Sequence, residues 1–188
     1  MYHYIQDKDY LKRLKNTCSN IINQLVQLIN NDSVMTVNAC LVGSGAKNLI
    51  LQNENNSIDL DYNIIILSCK SINNRREIKE YIRKKFNKIL IKNNWGDCQD
   101  STSALTTKKV SFKHGNPTAF SIDLAITCKD SNGWHRLIHE KTGIVNADRY
   151  YWNKVPDSKQ LQDRVNNLKS HHLWNDVRDT YLDKKNLY

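Results

Sequence analysis

Ser57-Ile58-Asp59-Leu60-Asp61-Tyr62-Asn63-Ile64-Ile65-Ile66 is the stretch on which the reading of this chain turns. Its β-branched and aromatic residues and its period-two alternation predict a β-strand. Successive strand side chains point to opposite faces, so Asp59 and Asp61 share one face while Ile58, Leu60 and Tyr62 turn toward a core. Two like charges held side by side on rigid backbone are unfavourable unless something positive sits between them. The usual partner is a divalent cation, and for an all-oxygen site the usual cation is Mg²⁺.

Two other stretches point to the same place. Upstream, apolar residues from Met35 to Val42 predict a strand that breaks at Gly43-Ser44-Gly45 and opens a short helix, Ala46 to Leu51. Backbone amides at such a turn, with the Ser44 hydroxyl, form a phosphate cradle. It is not a P-loop, because the Walker spacing and its Gly-Lys-Ser/Thr are absent. Downstream, Phe120-Ser121-Ile122-Asp123-Leu124-Ala125-Ile126 predicts another strand, with Asp123 opposite a core face of Phe120, Ile122, Leu124 and Ile126. An acidic residue in mid-strand is disfavoured, so Asp123 reads as a third carboxylate aimed at the same site. Asp59, Asp61 and Asp123 together suit a pair of Mg²⁺ ions that clamp the attacking and leaving oxygens of a displacement at phosphorus, with Mn²⁺ as a substitute.

Val42-Gly43-Ser44, then Asp59-Leu60-Asp61, then Ile122-Asp123-Leu124 resembles the pattern of the DNA polymerase beta-like nucleotidyltransferase superfamily, including its minimal bacterial members. The resemblance covers about Val34 to Cys128. It implies an α+β fold, a mixed sheet with helices on one face. It also implies transfer of a nucleoside monophosphate from an NTP to a hydroxyl acceptor with release of pyrophosphate. On that reading Asp59, Asp61 and Asp123 are the metal-binding catalytic acids, and Gly43, Ser44, Lys47 and Lys109 contact the nucleotide. ATP is the favoured NTP. The acceptor is left open among a nucleotide, an RNA end, a small alcohol and a protein hydroxyl. The helix after Gly-Ser carries Ala46-Lys47-Asn48, not the Thr or Arg-Lys signature of the branches that resemble oligoadenylate and cyclic-oligonucleotide synthases.

Bulk properties agree with a globular protein that meets phosphates. The chain has 188 residues, 39% hydrophobic and 25% charged, with a formal net charge of +9. Such a balance attracts nucleotides or nucleic acid. No run approaches the ~18 apolar residues of a membrane span, and Met1-Tyr2-His3-Tyr4 opens no signal peptide. The 5 cysteines form no CxxC pair. Reduced thiols in a cytoplasmic protein are therefore expected.

The remaining pattern divides into a core, residues 1–155, and a helical extension, residues 156–188. A helix is predicted from about Asp7 to Asn30, with Leu14, Cys18, Ile21, Leu25 and Ile29 on one face. Another runs from an N-cap at Ser71 to about Asn93, with an apolar stripe of Ile78, Ile82, Phe86 and Ile89. Arg75, Arg76, Lys79, Arg83, Lys84, Lys85, Lys88 and Lys92 fill its other faces, as a solvated surface or a nucleic-acid contact. Ala104 to Lys113 and Thr118 to Cys128 read as a hairpin turned by His114-Gly115-Asn116-Pro117. The pattern is then indistinct through Trp152. A helix capped by Asp157 or Ser158 follows, with Leu161, Val165 and Leu168 at helical spacing, and Trp174, Val177, Tyr181 and Leu182 mark a last one.

Lesser candidates are weighed against plainer readings. Lys47, Lys108, Lys109 and Lys113 would neutralise a triphosphate or would simply be exposed. His135 and His139, at i, i+4, suit two ligands on one helix face but lack an evident third. Tyr150, Tyr151, Trp152, Trp174 and Tyr181 are expected in packing, or one of them under a nucleotide base. A non-catalytic module of the same fold, binding RNA or a partner as antitoxin-type members do, is the alternative to an enzyme. A metal-dependent hydrolase using His114 is a third reading.

Overall fold

The computed structural model describes residues 1–156 and 159–187, and in those ranges all side chains but those of residues 145 and 161. The caps expected at Asp157 or Ser158, and the packing of Leu161, lie outside the described residues. The chain builds a mixed sheet flanked by helices, as its alternation of strand and helix periods requires.

Strand β1 (Tyr2–Tyr4) leads to helix α1 (Lys8–Asn30), whose N-cap Asp7 accepts the Tyr10 amide at 2.8 Å. Strand β2 (Met35–Leu41) ends in a single helical turn, α2 (Gly43–Ala46). Strand β3 (Leu51–Asn53) follows, then the long β4 (Ile58–Cys69), α3 (Arg75–Lys92), and two very short strands, β5 (Gln99–Asp100) and β6 (Leu105–Thr106). Strands β7 (Phe120–Asp130), β8 (Gly133–Glu140) and β9 (Arg149–Lys154) precede helices α4 (Lys159–Ser170) and α5 (Trp174–Asn186).

The main sheet runs β2-β4-β7, antiparallel then parallel. Beyond β7 the next position is shared. β6 pairs with its first half, and β8, backed by β9, pairs with its last residues. α1 and α3 cover one face. Leu14, Ile22, Leu25, Ile82 and Phe86 from these helices meet Ile58, Leu60, Tyr62 and Ile64 of β4 and Phe120, Ile122, Leu124 and Ile126 of β7. Each such side chain gains roughly 1.5–3 kcal/mol on leaving water. That face is closed, so the alternate residues of β4 and β7 look to the other side. There α4 lies, with Val165 buried.

Several expectations are corrected. The helix expected over Ala46–Leu51 is the turn Gly43–Ala46 instead. Asn48, at φ 56°, ends it, and Leu51–Asn53 pairs with Tyr2–Tyr4. The N-cap of α3 is Asn74, which accepts the Glu77 amide, and not Ser71. The first arm of the hairpin, expected over 104–113, is a strand only at Leu105–Thr106, with a bridge at Val110 to Phe120. Between them the Thr107 hydroxyl takes the Ile122 amide at 2.9 Å in place of a backbone carbonyl, which interrupts the ladder. The indistinct region is the antiparallel pair β8–β9, so His135 and His139 stand on a strand and not on a helix. Lys79, expected among solvated cations, is 1% exposed.

Candidate active site

Parallel pairing of β4 with β7 puts Asp61 opposite Asp123 and Asp59 opposite Ser121. Register partners share a face, so all of these side chains stand on the side away from α1 and α3. Burial follows the alternation. Ile58, Leu60 and Tyr62 are buried, while Asp59 is exposed and Asp61 half-buried. Ser121 donates a short hydrogen bond to Asp59 Oδ1. Thr106, the register partner of Asp123 on β6, donates to Asp123 Oδ1 at 2.5 Å.

The Gly-Ser turn abuts this row. The Val42 amide donates to the Asp61 carbonyl at 2.8 Å, which fixes the end of β2 beside the acids. Gly43 has φ 62°, and a Cβ there would lie 2.6 Å from Asp61 Oδ2. Only glycine accommodates both the left-handed backbone and that approach. A cavity of about 630 Å³ opens over Asp61 and Asp123, with Gly43, Lys47, Asn63 and Arg136 in its walls. A second, of about 500 Å³, takes Ser44 and Asp59, with Lys109, Tyr181 and Lys185. Asp59, Asp61, Asp123, Gly43, Ser44, Lys47 and Lys109 therefore all border one of two cavities that divide between them the pair Gly43–Ser44 and the pair Asp59 and Asp61. Among the expected aromatics of the described residues, Tyr181 is the one that borders either of these two cavities. Trp152 packs on the core, and its indole donates to the Ile72 carbonyl at 3.4 Å.

The three carboxylates act on one another, although Lys47, Lys109, Arg136, Lys169 and Lys185 also line the two cavities. Burial, and then the negative charges of Asp123 and Asp59, push the Asp61 carboxyl above the usual carboxylate range, against the pull of Arg136. The negative field of Asp123 and Asp59, which with burial raises Asp61, also attracts a cation. The donors are all oxygen, as a hard divalent ion prefers. Among the described residues, however, no group of three or more His, Cys, Asp or Glu side chains converges on a metal position, since Asp59 is drawn to Ser121 and Asp123 to Thr106. The residues fit such an ion by chemistry and by field, and its binding would draw on the carboxylate oxygens that those hydroxyls leave free.

Arg136, Asn63, Gln162 and Lys169 also line the larger cavity and were not singled out in the sequence. Asn63 was within reach, because it continues the Asp59, Asp61 face by two residues. Arg136 lies where the pattern was indistinct. Its register with Thr127 of β7 puts it on the face of Asp123. Among the described residues Arg136 Nε and Asn63 Oδ1 are buried polar atoms without a hydrogen-bond partner. Groups of that kind ordinarily find one.

Other candidates fall elsewhere. His135 Nδ1 lies 3.6 Å from Asp130, while His139 bonds Asp100 and Asp148, so the two rings share no ligand position. On α3, Lys79 pairs with Asp100, Arg83 with Glu80 and Lys85 with Asp32. Arg76 and the stripe Lys84, Lys88, Lys92 are the exposed cations of the basic face. Among the described residues no helix is long and apolar enough to cross a membrane.

No family model and no curated protein matches this chain. Solved structures do. The DncV cyclic AMP-GMP synthase of Vibrio cholerae, a prokaryotic cGAS homolog, aligns with a TM-score of 0.59 at 11% identity over 87% of this chain and 56% of DncV. Its complex with the linear intermediate 5' pppA(3',5')pG gives 0.53 at 15% identity over 77% and 37%. A DncV mutant with two aspartates, two positions apart, changed to alanine gives 0.51 at 14% identity over 77% and 40%. The likeness is one of fold. The chain thus has an α+β fold similar to that of DncV, and it spans about half or less of DncV.

Proposed function

We propose that this protein is a Mg²⁺-dependent nucleotidyltransferase. It moves a nucleoside monophosphate from an NTP, ATP first, to a hydroxyl acceptor. The observation that carries the reading is the register of Asp61 with Asp123, beside the bare backbone of Gly43 and over one cavity. The DncV fold supports it, as does a mutant of that protein aimed at a pair of aspartates with the spacing of Asp59 and Asp61.

Asp59, Asp61 and Asp123 would hold the metal, which supplies charge neutralisation at the triphosphate and at the attacking and leaving oxygens. Gly43 and Ser44 offer backbone and hydroxyl donors to the phosphates, and Lys47 and Lys109 add positive charge from either cavity. Asp123, with Oδ1 occupied by Thr106, has its second oxygen to receive the acceptor's proton. The acceptor oxygen bonds the α-phosphorus, the bond to the β-phosphate oxygen breaks, and pyrophosphate leaves.

Incubation with Mg²⁺ or Mn²⁺, labelled NTPs and a panel of acceptors should release pyrophosphate, and Asp59→Ala and Asp61→Ala should each abolish the release. Turnover that survives both substitutions would overturn the mechanism. Release of phosphate in place of pyrophosphate would turn the reading to a hydrolase.

A further inference from the structure

The β5–β6 hairpin pairs Gln99 with Thr106 and Asp100 with Leu105, and it carries Thr106 to Asp123 and Ser103 and Ala104 to the cavity wall. So short a hairpin has little stability of its own. Its β6 arm is held by pairing with β7 and by the buried Leu105, and its β5 arm and tip are held by polar contacts. Lys79 Nζ from α3 lies 2.6 Å from Asp100 Oδ1 as an ion pair and directs a hydrogen bond to the Ser101 carbonyl at 2.7 Å. Lys141 donates to the Asp100 carbonyl, and the His139 amide of β8 donates to the Thr102 carbonyl at 2.8 Å.

The His139 side chain completes the set. Nδ1 lies 2.8 Å from Asp100 Oδ2, and Nε2 lies 3.0 Å from Asp148 Oδ2. The ring is 5% exposed and stacks on Tyr150, with centroids 4.1 Å apart. Asp148 is held in turn by the Thr142 amide at 2.8 Å. An ionised carboxylate only accepts, and a neutral imidazole has one donor nitrogen and one acceptor. A neutral ring would set one lone pair against a carboxylate oxygen, whereas an imidazolium satisfies both contacts. Both carboxylates are held below the usual range. For Asp100, burial works against this and is outweighed by Lys79 and His139, and for Asp148 the Thr142 amide and His139 act together. The charges also close. With His139 as the imidazolium, Lys79 and His139 offset Asp100 and Asp148, and this largely buried set is neutral, as charges out of water need to be. Around the ring stand Asp100 of β5, Asp148 of the preceding loop and Tyr150 of β9. Lys79 and Lys141 reach it through Asp100, and Arg76 lies over the Tyr150 ring, 5.9 Å from its centroid.

We propose that His139 is a positioning residue, an imidazolium wedged between Asp100 and Asp148 that sets the β5–β6 hairpin and through it the Thr106 hydroxyl on Asp123. The link to turnover rests on the transferase reading above. The clamp itself does not.

The test has one part in the native protein and one in a variant. In the full chain labelled with ¹⁵N-histidine, long-range ¹H–¹⁵N correlation near neutral pH is expected to show both His139 nitrogens protonated. A single protonated nitrogen overturns the proposal. His139→Gln keeps one donor and turns an oxygen toward the other carboxylate. Hydrogen exchange at residues 99–107 should then rise ~10-fold or more, with α1 unchanged. Unchanged exchange there overturns the clamp whether or not the protein turns over NTP. In an active protein the same variant should lower kcat about 10-fold with little change in the KM for NTP. Faster exchange with unaltered kcat would overturn the positioning role.

Discussion

Asp61 faces Asp123 across the parallel β4–β7 pair, and the two carboxylates compete for charge. Folding raises the Asp61 carboxyl above its ordinary value of 3.8, so the folded state binds the proton more tightly and stability falls as pH climbs from 3.8 through the raised value. Asp61→Asn removes that loss. The variant should melt higher than wild type at neutral pH, on the order of 2–4 °C if the gain is near 1 kcal/mol. It should show no such gain at acid pH, and it should be inactive. Melts at the two pH values decide it, and equal differences at both would count against the charge argument.

Metal should act on the same residue from the other direction. A ligand at about 100 times its Kd adds ~2.7 kcal/mol of stability to the state that binds it. Mg²⁺ or Mn²⁺ should therefore raise the Tm of wild type and leave Asp61→Asn unchanged. An equal rise in both proteins would place the ion elsewhere.

Gly43→Ala should cost on the order of 1–3 kcal/mol in urea unfolding, since it forces a side chain into left-handed backbone. It should also abolish activity, because the new Cβ would stand 2.6 Å from Asp61 Oδ2. Gly45→Ala meets only side-chain methyls of Leu41 and Leu60, at 3.1 and 3.2 Å, and should cost less. A reversed order would refute this account of the turn.

Arg136→Met keeps the bulk and removes the positive charge that opposes the rise of the Asp61 carboxyl. Steady-state kinetics should show the KM for NTP rising about 10-fold with a smaller change in kcat, the pattern of a lost charge-assisted contact to substrate. An unaltered KM would assign Arg136 to structure alone.

Asp100→Ala leaves Lys79, 1% exposed, without its counter-charge. The expected loss is about 3–5 kcal/mol, and Lys79→Met in the same chain should restore part of it. Asp100 is held low, so its contribution is present above 3.8 and is lost as pH falls through the folded value. Additive losses in the double variant would show that the two residues do not act as a pair.

The strand face of Asp59 and Asp61 was legible because side-chain direction in a strand follows from sequence alone. The same rule made Asp123 visible and would have added Asn63 and Ser121. Arg136 was not legible. Its arrival at the site depends on β8 pairing with the last residues of β7, and pairing leaves no mark in local pattern. Lys79 shows the limit in another way. On a helix crowded with cations nothing local separates the lysine that is solvated from the one buried on Asp100. Asn48 and Thr107 were missed because a positive φ and a side-chain hydrogen bond override propensity at single positions.

The sequence by itself determined the fold class, the acidic row and the Gly-Ser turn, since each rests on periodicity or on the conformational freedom of glycine. Tertiary structure alone decided that Asp61 meets Asp123 in register, that α4 and Arg136 line the cavity above them, and that His139 lies between two carboxylates, apart from His135. Those are contacts between residues distant in the chain, and their energies come from burial and charge pairing that exist only once the strands are laid side by side.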